Sequence, residues 1–128
     1  MEKRLFLFFS HRLTREQEED GQKSLGIKEF VYLPENLQKL WSNVPPELSE
    51  LGEYLKPFVY FLLEKSQVGD FILVQGDFGM VVKMVEIARG LGLVPIYATT
   101  KREVEEREGE NGEIVKVSRF KHIRFRKF

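Results

Sequence analysis

The sequence has no cysteine and only two histidines, His11 and His122. The lack of cysteine excludes disulfide bonds, thiolate nucleophiles and cysteine-ligated zinc or iron–sulfur centres. With so few histidines we expect no metal site, and no motif calls for a cofactor. The 20 basic residues balance the 20 acidic ones, which argues against a protein that coats long nucleic acid through overall positive charge. Any anion-binding site must therefore be local.

Long apolar runs are also absent. No segment approaches the roughly 18–20 apolar residues of a membrane span. The apolar run at residues 5–9 meets Ser10, His11 and Arg12 and is followed by no small-residue cleavage site, so it does not fit a secretory signal. We interpret residues 5–9 as a buried strand and expect a cytoplasmic protein that does not contact membranes.

The composition instead fits one folded domain. The chain has 128 residues, of which 42% are hydrophobic and 31% are charged. This length is typical of a single domain, and the hydrophobic content argues against intrinsic disorder. No internal repeat or linker divides the chain, so residues 1–128 are expected to form a single domain.

Apolar strand-like runs alternate with helical patterns along most of the chain. The predicted strands are residues 5–9, 30–33, 71–74 and 93–98, and the predicted helices are residues 14–24, residues 35–41, a segment opened by Pro45-Pro46, and a segment that follows residues 75–79 and stops at Gly92. Such alternation predicts an α/β fold with right-handed crossovers. We expect a Rossmann-like, mostly parallel sheet flanked by helices, with a C-terminal β tail.

Several boundaries follow from individual residues. Thr14 and Gln17 have the spacing of a capping box, and Gly26 is placed to stop the helix that they begin. Pro57 lies inside the pattern of the third helix and predicts a kink or a break there. Pro95 predicts that the fourth strand is short or near an edge.

The C-terminal part of the chain is the most polar. Residues 103–113 hold six glutamates and two glycines and are expected to form a solvated loop or a frayed helix. Residues 114–117 and 121–126 alternate like strands. In the second of these, the alternation places Ile123 and Phe125 on one face. It places His122, Arg124 and Arg126 on the other, which is then a solvated surface, a basic patch or a partner for the acidic segment.

Polar residues follow three of the predicted strands. These segments are Ser10-His11-Arg12, Gln75-Gly76-Asp77-Phe78-Gly79 and Thr99-Thr100-Lys101-Arg102. In an open α/β sheet, ligands bind beyond the carboxyl ends of the strands. We therefore expect all three segments to lie on one edge of the sheet and to form the functional site.

Each of these segments also has a purely structural interpretation. Residues 75–79 match neither a dinucleotide fingerprint nor a Walker loop, and structural and ligand-binding roles for Gly76 and Gly79 are equally open. Asp77 is more often a helix N-cap than a catalytic acid. Trp41 and Tyr97 fit packing roles, although either ring can stack on a base.

The segments at residues 10–12 and 99–102 also have both a structural and a functional interpretation. Ser10 and His11 are neighbours whose side chains diverge, which does not support a Ser–His pair for acyl transfer. Ser10 either caps backbone groups or binds a phosphate or hydroxyl group. His11 is either a solvated side chain or a proton acceptor. Lys101 and Arg102 are either solvated charges or phosphate ligands.

Motifs throughout the chain resemble a small CRISPR-associated protein family that accompanies type III CRISPR systems and is grouped with the ring nucleases. The residues that carry this resemblance are residues 5–11 with Leu13, Thr14 and Gln17, Tyr32-Leu33-Pro34, Leu40-Trp41-Ser42-Asn43, Gly69-Asp70, residues 75–79, residues 97–102, and Phe120-Lys121-His122 with Arg124-Phe125-Arg126. The resemblance implies a fold related to the CRISPR-associated Rossmann-fold (CARF) sensor domains.

The resemblance also implies a function. Ring nucleases bind cyclic oligoadenylate second messengers and linearise them, which switches off the defence response. The expected reaction is metal-independent attack of a substrate 2′-hydroxyl, which leaves a 2′,3′-cyclic phosphate end. A homodimer is expected, and because a two-fold dimer matches a two-fold ring, cyclic tetra-adenylate is the favoured ligand.

Site residues are assigned by combining the resemblance with the three polar segments. Lys101 and Arg102 are expected to stabilise charge on the phosphate, and His11 to transfer the proton, with Ser10 as a further catalytic residue. His122 is a second candidate for proton transfer. The residues expected to bind the ligand are Ser10, Trp41, Gln75, Gly76, Asp77, Phe78, Gly79, Thr99, Thr100, His122 and Arg124.

Two other functions remain open at this stage. A non-catalytic protein that sequesters the cyclic nucleotide would use the same pocket. A structural or interaction subunit with the same core would bind no nucleotide.

Overall fold

The computed structural model describes residues 2–128 as an α/β fold with five strands and four helices. In chain order the elements are β1 (Lys3–Phe8), α1 (Arg15–Leu25), β2 (Ile27–Tyr32), α2 (Glu35–Ser42), α3 (Gly52–Lys65), β3 (Phe71–Val74), α4 (Phe78–Gly90), β4 (Val94–Glu108) and β5 (Ile114–Lys127). The sheet has the strand order β2-β1-β3-β4-β5. Its first four strands are parallel, and β5 runs antiparallel to β4.

The central strands β1 and β3 are buried on both faces, as the continuous apolar run at residues 5–9 predicts. Phe6 and Phe8 of β1 pack with helices α2, α3 and α4, whereas Leu5 and Leu7 pack on the opposite face, which α1 covers. Every residue of β3 is buried as well. Two hydrophobic clusters therefore cover the sheet, one on each face. No helix within residues 2–128 has the length and apolar character needed to cross a bilayer.

Helix α1 begins and ends where the sequence predicts. The Thr14 hydroxyl accepts a hydrogen bond from the backbone N–H of Gln17 at 3.2 Å, and the Gln17 side chain accepts one from the Thr14 N–H at 2.9 Å. Gly26 ends the helix with a φ of 70°, a left-handed conformation that glycine adopts without steric cost. The capping box therefore fixes the start of the helix that follows β1.

The predicted start of the third helix is wrong, and so is the break at Pro57 that was one of its two predicted effects. The helix starts at Gly52 rather than at Pro45-Pro46, because Val44 and Leu51 pack against the core and the chain between them forms turns. Pro57 does not split it, since α3 is continuous from Gly52 to Lys65. The i−4 carbonyl that proline leaves unbonded belongs to Glu53, which is exposed to water.

Residues 103–113 also differ from the prediction, which was a solvated loop or a frayed helix. Residues 103–108 belong to β4 and pair with β5, so only residues 109–113 form the connecting loop. Pro95 does not mark a short or edge strand, because β4 has 15 residues and lies between β3 and β5. Pro95 is the second residue of β4, so its missing N–H lies close to the start of the strand and not in its middle.

Strand β5 contains a bulge at Ile123. Thr99 pairs with Arg124 and Thr100 pairs with His122, so Ile123 has no partner on β4. A bulge shifts the alternation of side chains by one residue. His122 therefore lies on the same face as Phe125, with their ring centroids 4.8 Å apart. The predicted common face of His122, Arg124 and Arg126 is wrong for His122.

The bulge brings His122 onto helix α1. Its Nε2 lies 2.8 Å from Oδ2 of Asp20, and only 6% of the His122 side chain is exposed. Burial raises the pKa of Asp20, but hydrogen bonds from Ser24 and His122 and the charges of His122 and Arg124 outweigh it, so the pKa is lowered from 3.8. The Asp20 carboxylate thus joins α1 to the C-terminal strand.

Replacing Asp20 with asparagine should reduce stability in a pH-dependent way. A carboxylate with a lowered pKa stabilises the folded protein above its ordinary pKa and loses that effect as the pH falls through the lowered value. We expect Asp20→Asn to cost about 1–2 kcal/mol at pH 7. Urea unfolding of both proteins between pH 7 and pH 3 should show the difference shrinking toward acid.

Glu16→Gln is the matched control, since Glu16 is an exposed acid of the same helix. Glu16→Gln should change the free energy of unfolding only slightly at every pH. An Asp20→Asn deficit that is as large at pH 3 as at pH 7 would contradict the role of the carboxylate.

Candidate functional site

The carboxyl ends of β1 and β3 are neighbours in the sheet, and β4 continues past both of them. The last residue pair between β3 and β4 is Leu73 with Ile96, and the last between β1 and β3 is Phe8 with Val74. We call the region formed by residues 9–14, 75–79 and 98–102 the C-terminal edge. It contains the three polar segments that the sequence places together.

Gln75 connects the three parallel strands at this edge. Its backbone N–H donates to the carbonyl of Phe8 at 3.0 Å, and its side-chain Oε1 accepts from the N–H of Ala98 at 2.8 Å. Its backbone carbonyl accepts from the indole Nε1 of Trp41 at 2.9 Å. The Gln75 side-chain oxygen replaces the strand partner that β4 loses beyond Ile96. We therefore assign Gln75 a positioning role, because these bonds occupy its side-chain oxygen.

The structure shows why glycines follow Gln75. A Cβ atom on Gly76 would lie 2.9 Å from the Trp41 Nε1, closer than real Cβ contacts allow. A Cβ atom on Gly79 would lie 2.8 Å from the Leu51 Cδ1. Packing therefore accounts for Gly76, which remains exposed at the edge, whereas the Leu51 side chain beside Gly79 is flexible enough to move away.

Trp41 does not offer a ring face for a ligand. It is 2% exposed and packs edge to face against Phe8 and Phe58. The expectation that Trp41 binds the ligand is wrong, because its ring fills the core and its one polar atom is bonded to Gln75. Trp41 instead holds the loop in place.

Asp77 and Phe78 begin helix α4. The Asp77 carboxylate accepts from the N–H of Met80 at 3.1 Å, which makes it the N-cap. Phe78 is 91% exposed, the largest exposure of any large apolar side chain in residues 2–128. The fold does not explain an exposed aromatic ring at this position, so Phe78 is a candidate ligand contact.

The loop after β1 forms a groove with β2 and α2. The groove is about 300 Å³ in volume and is lined by Ser10, His11, Arg12, Tyr32, Leu33, Glu35 and Gln38. Arg12 lies 4.5 Å from the centre of the Tyr32 ring, and Gln38 donates to the Phe9 carbonyl at 2.6 Å. Ser10 and His11 are exposed, and the His11 ring meets Phe9 edge to face. These two side chains are accessible to a ligand from solvent.

Residues 99–102 do not end a strand, which corrects the prediction. They lie within β4, so their side chains alternate between two faces. Thr99 exchanges hydrogen bonds with the Arg124 backbone, through Oγ1 at 2.8 Å and 3.2 Å. Lys101 lies directly opposite Lys121 and is exposed. Lys101 and Arg102 therefore point to different sides of the ribbon.

A second groove lies between α1 and the β4–β5 pair. It is about 490 Å³ in volume and is lined by Thr14, Arg15, Glu16, Gln17, Thr100, Phe120 and His122. The Nδ1 atom of His122 is buried and has no hydrogen-bond partner among residues 2–128. Arg102 on the same side donates to the Ser118 hydroxyl at 2.9 Å and 3.1 Å. Thr100 and His122 are thus separated from Lys101 by the ribbon.

The cations of the edge lack nearby acidic partners. Within residues 2–128, no carboxylate lies within 4.0 Å of Arg12, Lys101, Arg102 or Lys121. The protein as a whole has no net charge. Within the described residues these cations therefore have no carboxylate partner that would compete with a phosphate-bearing ligand.

The sequence did not reveal Asp20, Lys121 or Tyr32 as neighbours of the predicted residues. Asp20 and His122 are far apart in the chain, and Lys121 reaches Lys101 through the strand pairing. Tyr32 meets Arg12 only because β2 lies beside β1. Strand order and register were needed to find all three.

Comparison with known proteins places the chain in a family. The family model described as "Uncharacterized protein MJ1673 family" matches residues 3–126. The protein "Uncharacterized protein MJ1673" of Methanocaldococcus jannaschii is 46% identical over 125 residues, which cover 98% of this chain and 96% of that relative. No solved structure matches the chain significantly. The family match spans both strand-end loops and the whole of β4, and the chain therefore belongs to the MJ1673 family.

Proposed function

We propose that this protein is a ring nuclease of type III CRISPR systems. It binds a cyclic oligoadenylate, with cyclic tetra-adenylate favoured, at the C-terminal edge and linearises it in the cytoplasm as a homodimer. No metal or cofactor takes part, and the cleavage switches off the defence response. The observation that carries the proposal is the convergence of the loops after β1 and β3 with the cationic part of β4.

The strand order supports a ligand crevice at this edge. The chain leaves β1 toward α1 on one face of the sheet and leaves β3 toward α4 on the other. In open α/β sheets, the ligand crevice lies where two neighbouring strands send their connections to opposite faces. On this basis we assign the domain to the Rossmann-like CARF type.

The charge at the edge fits the proposed ligand. A cyclic oligoadenylate carries one negative charge per nucleotide, and a neutral protein needs a local cationic surface to hold it. Arg12, Lys101 and Lys121 supply charges that no nearby carboxylate neutralises. Phosphate contacts of this kind supply affinity that falls as the salt concentration rises.

An exposed aromatic ring fits the bases. Phe78 is 91% exposed at the start of α4, beside the Gln75–Gly76 turn. Stacking of a base on an aromatic side chain contributes about 1–3 kcal/mol and tolerates any base. We therefore assign Phe78, rather than the buried Trp41, as the stacking residue.

The proposed reaction is an internal transfer at phosphorus. The ribose 2′-oxygen gives its proton to His11 and bonds to the adjacent phosphorus, while the bond from phosphorus to the 5′-oxygen breaks. The 5′-oxygen takes up a proton from water, and the linear product ends in a 2′,3′-cyclic phosphate. Lys101 stabilises the negative charge that builds on the phosphate oxygens, whereas Arg102 lies on the other side of the ribbon and takes no part. Ser10 holds a phosphate or ribose oxygen.

A second candidate function is binding without cleavage. Within residues 2–128, no hydrogen bond fixes the orientation of His11, whose contact is the edge of Phe9. A proton-transfer residue works best when a neighbour holds it in place. A protein that only sequesters the ring would use the same cations and the same aromatic ring.

One experiment separates these functions. The protein is incubated with cyclic tri-, tetra- and hexa-adenylate in EDTA, and the products are read by chromatography. Linear product with a cyclic phosphate end supports the ring nuclease. Saturable binding without product supports the sequestering protein. The absence of binding to any ring rejects both in favour of a structural or interaction subunit.

Replacing Lys101 with alanine should affect cleavage far more than binding. Its ammonium stabilises charge that develops in the transition state, so we expect single-turnover cleavage to fall by about 10²-fold. The Kd should rise by less than about tenfold, since other cations remain. Lys28→Ala, an exposed lysine of β2, should leave both quantities unchanged. Cleavage by Lys101→Ala at the parental rate would disprove this role.

Replacing Phe78 with alanine should weaken binding without loss of stability. Loss of one stacked base raises the Kd by about tenfold or more. The melting temperature should stay constant, because the ring makes few contacts with the fold. Val82→Ala removes an exposed apolar group from the same helix and is the control. Equal Kd values for both variants would rule out stacking on Phe78.

A further inference from the structure

The outer part of the β4–β5 pair projects from the sheet as a two-stranded ribbon. Beyond Ile96, β4 has no pairing with β3, and residues 100–108 pair only with residues 114–122. We call these two segments the β arm. An isolated two-stranded ribbon is marginally stable in water and gains stability when an apolar face is covered.

The two faces of the β arm differ in character. One face carries the ion pairs Glu103–Arg119 at 3.3 Å and Glu105–Arg107 at 3.2 Å beside the smaller apolar side chains of Val115 and Val117. The register places Val104, Phe120 and Ile114 on the other face. This is the face that also carries His122 and that helix α1 covers at the base of the arm. The exposures of Val104, Phe120 and Ile114 are 56%, 72% and 71%. We call this second side the apolar arm face.

The charges on the apolar arm face are self-complementary. Glu106 of β4 lies directly opposite Lys116 of β5 on this face. Neither makes an ion pair within residues 2–128. The face therefore presents a negative and a positive charge at the same level, flanked by apolar side chains.

We infer that the apolar arm face binds the same face of a second copy of this chain, about a two-fold axis that runs along the strands. Such an axis places β4 of one protomer over β5 of its partner. Glu106 then meets the partner's Lys116, Lys116 meets the partner's Glu106, and Arg102 lies over the ring of the partner's Phe120. Two equal ion pairs and two cation–π contacts result from one symmetric arrangement.

The alternative two-fold axis is disfavoured by charge. An axis across the strands at the level of Glu106 and Lys116 places β4 over the partner's β4, so Glu106 meets a second glutamate and Lys116 a second lysine. Like charges facing each other across an interface cost several kcal/mol.

The inference deepens the proposed function, because it names the interface of the proposed homodimer. With the two-fold axis along the strands, the C-terminal edges of both protomers open in the same direction. A ring with two-fold symmetry is then able to contact both edges at once. The contact itself depends only on the arm and exists with or without a nucleotide.

Sedimentation equilibrium of the full chain tests the interface. We expect the parent protein to form a dimer, and Phe120→Glu to be monomeric at the concentrations where the parent is dimeric. Val115→Glu places the same charge on the opposite face of the arm, where Val115 is 43% exposed, and should remain dimeric. Circular dichroism confirms that each variant is folded. A monomeric parent, or a dimeric Phe120→Glu, overturns the inference.

Charge reversal tests the direction of the axis. Glu106→Lys and Lys116→Glu should each raise the dimer dissociation constant by about tenfold or more, since each creates like-charge contacts. An equimolar mixture of the two variants should form a heterodimer with nearly parental affinity. An unchanged constant for the single variants overturns the proposed axis, because in the crossed arrangement the parent already carries like-charge contacts.

The sedimentation test of the arm interface and the incubation with cyclic oligoadenylates can fail independently of each other. A monomeric parent that binds cyclic tetra-adenylate refutes the arm interface and leaves the proposed function standing. A dimeric parent that binds no ring refutes the proposed function and leaves the interface standing.

Discussion

The arrangement of the C-terminal edge depends on the hydrogen bonds of Gln75. Parallel strands exchange backbone hydrogen bonds only as far as both strands extend, and β3 has only four residues. Gln75 extends this pairing with its side chain, since its Oε1 accepts the Ala98 N–H while its backbone N–H donates to Phe8. The strand β4 can therefore leave the sheet without a buried, unpaired N–H group. Trp41 completes the arrangement by donating to the Gln75 carbonyl.

This constraint separates structural residues from accessible ones at the edge. Gln75, Gly76, Asp77 and Trp41 are accounted for by hydrogen bonds and packing. Ser10, His11 and Phe78 are exposed at the same edge, and packing does not require their side chains. The proposed chemistry is placed on the exposed residues. The hydrogen-bonded and packed residues determine where the exposed ones lie.

Most of the α/β core could be predicted from the sequence because its signals are local. The apolar run at residues 5–9, the capping box at Thr14 and the stop at Gly26 each depend on neighbouring residues. The β arm could not be predicted, because glutamate-rich segments lack strand propensity and are held here by pairing with β5. The partnership of His122 with Asp20 also depends on contacts between distant parts of the chain. Of the candidate site, the shared edge was predictable, whereas the burial of Trp41 and the exposure of Phe78 required the packed structure.

The unpaired residue Ile123 decides which residues of β5 share a face. Residues three apart in a regular strand lie on opposite faces, yet His122 and Phe125 lie on the same one, because the bulge adds a residue without a partner on β4. Removing Ile123 would leave a regular ladder in which His122 still lies opposite Thr100. An insertion within residues 114–122 would instead slip the register and turn part of the strand over. Length changes within residues 109–113 have no such effect, because that loop lies outside the pairing.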